Sequence, residues 1–176
     1  MSTATMTAAR AGKYLVFQLD REEFGVHVLK VREIMGLQEI TAVPQTPPYV
    51  KGVLNLRGKV VPVIDLRAKF GLDQAEYTAR TCIIVLEVVS GGRALSAAAN
   101  SLMMGVIVDG VSEVLNIQDG EIEDPPEFGA GTKVPFVLGL AKVKGKVKIL
   151  LDIDKALSLE DLTGMNLSAG LGEAHA

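Results

Sequence analysis

The sequence predicts an all-β fold with short helices, organised as two related units of small-barrel type. Two observations carry that prediction. The first is a succession of short apolar runs separated by turn signals, with little helical periodicity between them. The second is an internal duplication. Val50–Phe70 (VKGVLNLRGKVVPVIDLRAKF) returns 87 positions later as Val137–Leu157 (VLGLAKVKGKVKILLDIDKAL). Val50, Gly52, Gly58, Lys59, Val60 and Asp65 then meet Val137, Gly139, Gly145, Lys146, Val147 and Asp152. A second echo lies 80 positions apart: Gly25, Val26, Val28, Val31 and Glu33 match Gly105, Val106, Val108, Val111 and Glu113. Two copies are too few for a repeat array, so they imply paired units.

Taken in order, residues 1–12 are small and polar and are expected to form a disordered tail. Tyr14–Leu19 and Phe24–Val28 are the first two strands, joined by the charged turn Asp20–Glu23. Leu29–Met35 is expected to be a short helix stopped by Gly36. Pro44, Pro47 and Pro48 make Thr41–Tyr49 an irregular connection. Val50–Asp65 is a hairpin about Arg57-Gly58, because glycine tolerates the positive φ of a two-residue hairpin loop. Arg57 is not a favoured residue in such a turn, which hints at another role. Leu66–Phe70 follows as a helical turn closed by Gly71. Thr81–Val89 is a buried strand, Ser90–Ser101 a flexible loop, and Leu102–Val108 and Val111–Ile117 further strand or turn structure. Asp119–Lys133 is acidic and rich in Pro and Gly, hence an exposed loop. A second hairpin runs from about Val134 to Asp152, and Ile153–Leu159 closes the fold as a short helix. The domain is thus expected over residues 13–159, with a flexible tail over 160–176.

Strand alternation sorts the second hairpin strand into two faces. Val60, Pro62, Ile64 and Leu66 form one; Lys59, Val61, Val63 and Asp65 form the other. The matching second-copy sets are Val147, Ile149, Leu151 and Ile153 against Lys146, Lys148, Leu150 and Asp152. The first set is apolar in both copies and is assigned to the core. The second, tipped with charge, is assigned outward. On that outward face the first hairpin shows Val53, Asn55, Val61 and Val63, an apolar patch that fits either a partner or the other unit.

Composition excludes several function classes. The net charge is −3 and only eight residues are aromatic (three Tyr and five Phe), so the basic, stacking groove of a single-strand nucleic-acid binder is missing. One cysteine cannot form an internal disulfide and suits a reducing compartment. No apolar run approaches the roughly 20 residues that would span a bilayer, and no signal-peptide core opens the chain, so a cytoplasmic protein without membrane insertion is expected. No catalytic constellation is present. His27 lies between inward Val26 and Val28 and is expected to face solvent, and Cys82 is expected to be a buried inert thiol without a base. Glu121, Glu123, Asp124 and Glu127 lack EF-hand spacing and read as a solvated loop. No phosphate-binding or dinucleotide fingerprint occurs. The expectation is a binding module, with no enzyme activity, cofactor or metal. Its sharpest polar candidates are Glu33 and Arg57.

GVHVLKVREI (Gly25–Ile34), the run Val50–Phe70, MGVIVDGVSEVL (Met104–Leu115) and the closing GLAKVKGKVKILLDIDKAL resemble the CheW-like coupling proteins of bacterial chemotaxis. The resemblance extends from about Lys13 to Leu159. It implies two intertwined five-stranded β-barrels around a shared core. It also implies a cytoplasmic, non-catalytic adaptor recruited to receptor arrays. Such an adaptor joins the cytoplasmic tip of methyl-accepting chemotaxis receptors to the regulatory domain of the histidine kinase CheA, with the receptor in the groove between the barrels. The family's functionally important acid and arginine fall on Glu33 and Arg57. Val31, Gly52, Asn55 and Gly58 also match motif positions. Leu56, Val61 and Val63 are added as apolar anchors, because a few buried anchors dominate most interfaces, and Val53 of the outward patch is counted with them as partner-binding. The alternatives are a same-fold adaptor of a non-flagellar chemosensory pathway and a small barrel that binds other ligands.

Overall fold

The computed structural model describes residues 10–73, 75–89, 101–125 and 136–157. Strands β1 (Gly12–Leu19) and β2 (Glu22–His27) form an antiparallel hairpin, and a 3-10 turn over Val28–Lys30 leads into β3 (Val31–Gly36). The first duplicated hairpin is β4 (Val50–Leu56) and β5 (Lys59–Asp65), followed by helix α1 (Leu66–Lys69). Next come β6 (Cys82–Val89), β7 (Ser101–Val108) and β8 (Gly110–Ile117). A 3-10 turn over Asp119–Glu121 and the two-residue β9 (Ile122–Glu123) precede the second hairpin, β10 (Val137–Val143) and β11 (Lys146–Leu151), and helix α2 (Ile153–Ala156).

Most predicted elements stand where the sequence placed them. The expected exposed loop from Asp119 opens instead with a 3-10 turn and β9, whose Ile122 is buried, and one expected helix is a strand. Leu29–Met35 is not a helix: Val31–Gly36 is strand β3, paired with β6 through Ile34–Ile84 and Met35–Ile83. The β-branched Val31 and Ile34 suit a pleated, half-buried surface better than a free helical turn. The N-terminal boundary also moves, since β1 begins at Gly12 and Arg10 already bonds the Asp124 carboxylate at 2.7 Å. The expected Ser90–Ser101 loop falls on residues 90–100, outside the described residues. So do Glu127, the part of the acidic Asp119–Lys133 loop beyond residue 125, and the C-terminal tail.

The two sheets interleave the duplication. One runs β8-β1-β2-β11-β10-β9 and the other β3-β6-β7-β5-β4. Each repeat therefore divides after its second strand. Its first two strands join one sheet, and its last three join the other. The joints are parallel: β2 lies beside β11 through Gly25–Leu150, and β7 beside β5 through Gly105–Val63. The expected five-strand count holds in one sheet, while the other gains β9 as a sixth. Neither closes completely, but Thr41 bridges back to β4, exchanging two 2.9 Å backbone hydrogen bonds with Val53. Ile122 does the same for β10 at Ala141. Gly52 makes the first bridge possible. Its φ is +142°, and a Cβ there would fall 2.0 Å from the Thr41 carbonyl oxygen.

The main core lies between the sheets. It joins Leu15, Phe17, Phe24 and Leu151 of one sheet to Ile64, Ile84, Leu86 and Val106 of the other. Each sheet also curls round a smaller core of its own, with Tyr14, Ile117 and Leu150 in one and Leu54, Val63, Ile83 and Val85 in the other. Central strands thus bury both faces.

That arrangement corrects the assignment of faces. Val61, Val63 and Asp65 are not outward: they are 1%, 0% and 7% exposed. In the second copy Lys148 and Leu150 are also buried. Val60 and Val147, assigned to the core, are 58% and 47% exposed at the hairpin ends. An alternation argument presumes one wet face, and β5 and β11 have none along most of their length. The buried charges have partners. Asp65 caps α1 by accepting from the Arg67 N–H at 3.0 Å, and Lys148 donates to Glu23.

Candidate functional site

The first hairpin tip forms the site. Arg57 and Gly58 hold φ of 52° and 87°, the pair of positive values a two-residue I′-type turn requires. Asn55 closes the turn from below, its Oδ1 accepting the Gly58 N–H at 2.8 Å. An arginine in the left-handed region carries a conformational cost that asparagine or glycine would avoid. Its side chain supplies the compensating contact. Arg57 Nη2 lies 2.8 Å from Glu33 Oε1 and 2.9 Å from Oε2. Glu33 projects from β3, so this contact ties the hairpin tip to the sheet's far edge strand.

The pair is solvent-facing. The Arg57 side chain is 72% exposed and that of Glu33 29% exposed. At such exposure an ion pair contributes no more than about 1 kcal/mol to stability. Its consequence is orientation: the carboxylate holds a planar cation at the tip with most of its surface open to a partner.

The structure sorts the predicted site residues into three groups. Glu33, Asn55, Arg57 and Gly58 come together at the tip. Val31, Val53 and Leu56 are half-buried on β3 and β4, Val31 against the core between the sheets and Leu56 against the small core of its own sheet. Gly52, Val61 and Val63 are buried and support the hairpin, and Val61 also lines the groove beside it. Sequence reasoning missed a groove of about 410 Å³ beside the tip, lined by Arg32, Lys59, Val60, Glu87, Leu102 and Met103. Arg32 bonds Glu87 across it. The missed signal was β3 itself. Read as a strand, it puts Arg32 on the face opposite Glu33.

Other candidates resolve differently. His27 does not simply face solvent: it is half-buried, its ring is tilted against that of Tyr14 with centroids 4.3 Å apart, and its Nε2 lies 3.0 Å from the Tyr14 hydroxyl. Burial pushes the Tyr14 hydroxyl up to about 12, outweighing the opposite effect of nearby Arg10. Burial also raises the half-buried Cys82 thiol, which disfavours the reactive thiolate. Among the described residues no three His, Cys, Asp or Glu side chains gather as metal ligands. Nor, among them, is any helix long and apolar enough to cross a membrane.

Comparison with known proteins agrees with this geometry. The CheW-like domain family model matches residues 13–161. The chemotaxis protein CheW of Klebsiella aerogenes is 39% identical over 150 residues, covering 85% of this chain and 84% of that protein. The chemotaxis protein CheW of Rhizobium meliloti is 33% identical over 162 residues, covering 92% and 97%. The crystal structure of the scaffolding protein TtCheW from Thermoanaerobacter tengcongensis superposes with a TM-score of 0.67 at 35% identity, covering 80% of this chain and 88% of that one. The interleaved duplication, the NLRG hairpin tip and these matches along most of its length make the chain a member of the CheW-like family of chemotaxis adaptors.

Proposed function

We propose that the protein holds two partners in register and performs no catalysis. It joins the cytoplasmic tip of methyl-accepting chemotaxis receptors to the regulatory domain of the histidine kinase CheA, at membrane-associated receptor arrays. The observation that carries this reading is the Glu33–Arg57 pair, an arginine held by a carboxylate yet 72% exposed at the end of a hairpin. A guanidinium so held offers parallel donors to a partner's carboxylate and sets the angle of docking. Val53 and Leu56 supply half-buried apolar area at the same end. Asn55 and Gly58 set the turn that aims the cation, Val31 and Gly52 keep β3 and β4 in place, and Val61 and Val63 act from beneath as packing. Each contact in an array can be modest, because many joined contacts multiply effective affinity.

Calorimetric titration against the CheA regulatory domain, and separately against a receptor tip fragment, tests the proposal. Both should bind the wild-type chain. Arg57→Ala should weaken one of them by about tenfold, the worth of a charge-assisted contact, while circular dichroism stays unchanged. Binding of neither partner by the wild type refutes the coupling role. Wild-type binding with Arg57→Ala indistinguishable from it refutes the assignment of the tip.

A further inference from the structure

We propose that three charged contacts decide which halves of the two repeats pair, and so impose the interleaved topology over a self-paired one. The duplication creates a problem of recognition. In both sheets the strand order is the same once β8, β10 and β11 are matched to β3, β4 and β5. The two parallel joints are also alike in backbone, with Gly25 beside Leu150 in one and Gly105 beside Val63 in the other. Each repeat could therefore fold on itself, with β2 beside β5 and β7 beside β11. Apolar contacts are non-directional, and exchanging valines with leucines at the joints would discriminate little.

The charges at those joints do discriminate. Arg67, just after β5, donates from Nη1 to Asp109 Oδ2 at 2.6 Å, and Asp109 directly follows β7. The counterpart of Arg67 after β11, 87 residues on, is Asp154. Its carboxylate accepts from Lys30 Nζ at 2.8 and 3.0 Å, and Lys30 lies just beyond β2. The two joints thus carry the same kind of pair with opposite polarity. Self-pairing would set Arg67 against Lys30 and Asp154 against Asp109, each a like-charge contact. The third contact lies within the strands. Lys148 of β11 sits opposite Glu23 of β2, with side chains only 5% and 20% exposed. The matching positions are Val61 and Met103, which line one groove. Self-pairing would leave Lys148 against Met103 and Glu23 against Val61, parting each charge from its native counter-ion. All three contacts are satisfied by the interleaved arrangement and broken by the other, and an unpaired buried charge is strongly unfavourable.

Cross-linking after refolding reads the topology directly. Arg21 and Val147 line one groove, so cysteines there report the interleaved fold. Shifting by the repeat offset, cysteines at Arg21 and Val60 report the self-paired fold. Two chains are made in a Cys82→Ser background, Arg21→Cys with Val147→Cys and Arg21→Cys with Val60→Cys. Each is refolded from denaturant and treated with a short bis-maleimide. With native charges the first link should dominate. Lys30→Asp with Asp109→Arg makes both native pairs repulsive and both self-pairs attractive. The ratio of the first link to the second should then fall by about tenfold or more. Lys30→Arg with Asp109→Glu, which keeps the signs, should leave it unchanged. An unchanged ratio in the inverted chain overturns the proposal, and so does an equal fall in the sign-preserving chain. If the inverted chain yields neither link, Lys30→Gln with Asp109→Asn decides: a fall in the ratio supports the proposal, and no change overturns it.

Discussion

Removing Glu23 should unfold the protein far more readily than removing any surface charge. Lys148 donates to Glu23 across the parallel β2–β11 joint, and its side chain is 5% exposed. Glu23→Ala leaves that ammonium without its carboxylate in a place water barely reaches. Breaking a buried pair from one side costs about 3–5 kcal/mol. Glu23 is itself 20% exposed, so some water can enter the vacated space and the lower end, about 3 kcal/mol, applies. For a chain of this size that is a fall in Tm of about 6–12 °C. Lys148→Met should cost less, about 1–3 kcal/mol, because the orphaned carboxylate sits nearer the solvent. Glu23→Leu with Lys148→Met should recover most of the loss, since an apolar pair of similar volume replaces the buried ions at little or no cost. Urea unfolding followed by far-ultraviolet circular dichroism measures all four chains, with a constant m-value showing that only stability has moved. A Glu23→Ala loss below about 1 kcal/mol, the range of exposed pairs, would refute the reasoning. A double variant as unstable as the two losses summed would refute it equally.

Gly52→Ala should destabilise more than Gly58→Ala, although both glycines have positive φ. A Cβ at Gly52 meets the Thr41 carbonyl at 2.0 Å, whereas at Gly58 nothing lies within 4 Å. Gly58→Ala should therefore cost about 1–2 kcal/mol of backbone strain, and Gly52→Ala that plus the Thr41–Val53 bridge; equal losses in urea unfolding would sink the close-approach argument. Alkaline titration should show a tyrosine that ionises near pH 12 in the folded state, against an ordinary value of 10.0, with Tyr14→Phe removing it from the 295 nm absorbance curve. Because the folded value is raised, the folded chain holds its proton longer, so Tyr14 supports folding fully below pH 10 and loses that contribution as pH climbs from 10 to 12. A wild-type curve complete by pH 10.5 would contradict the burial assigned to Tyr14.

What was legible in the sequence followed from local chemistry. Gly58 and Gly145 mark both hairpin turns because few residues adopt their φ of 87° and 78°. Asp65 and Asp152 were aligned by the duplication but assigned outward; the structure shows that each caps the short helix that follows it. Glu33 and Arg57 were singled out as the sharpest polar candidates, and the fold brings them within 2.8 Å. Strand β3 was missed because Leu29–Met35 alone carries apolar spacing that a helix also satisfies. The duplication held the correction, for its counterpart Val111–Ile117 was read as strand or turn and not as helix. The faces of β5 and β11 were missed for a different reason. Their second face is buried because each sheet curls round a small core of its own, which no single strand's pattern encodes. Lys148 looked like a solvent-facing residue because its partner is 125 positions away.

The duplication also makes the two hairpin tips comparable, and they are not chemically equal. Arg57 has Lys144 as its counterpart, in the same left-handed conformation with φ of 52° and 54°. Both tips are exposed and both carry a cation, so net charge does not separate them. Geometry of the head group does. A guanidinium presents planar, parallel donors that fix the direction of an opposing carboxylate, while an ammonium attracts it from any angle. Arg57→Lys makes the first tip resemble the second without altering charge or the turn. If orientation is what the tip contributes, this variant should lose partner affinity almost as fully as Arg57→Ala, with an unchanged fold. If charge alone attracts the partner, Arg57→Lys should bind like the wild type at low salt, and all differences should fade as salt is raised. Calorimetry at two salt concentrations separates the cases. Retention of wild-type affinity by Arg57→Lys at both would show that the Glu33–Arg57 contact steadies the hairpin and does not direct a partner.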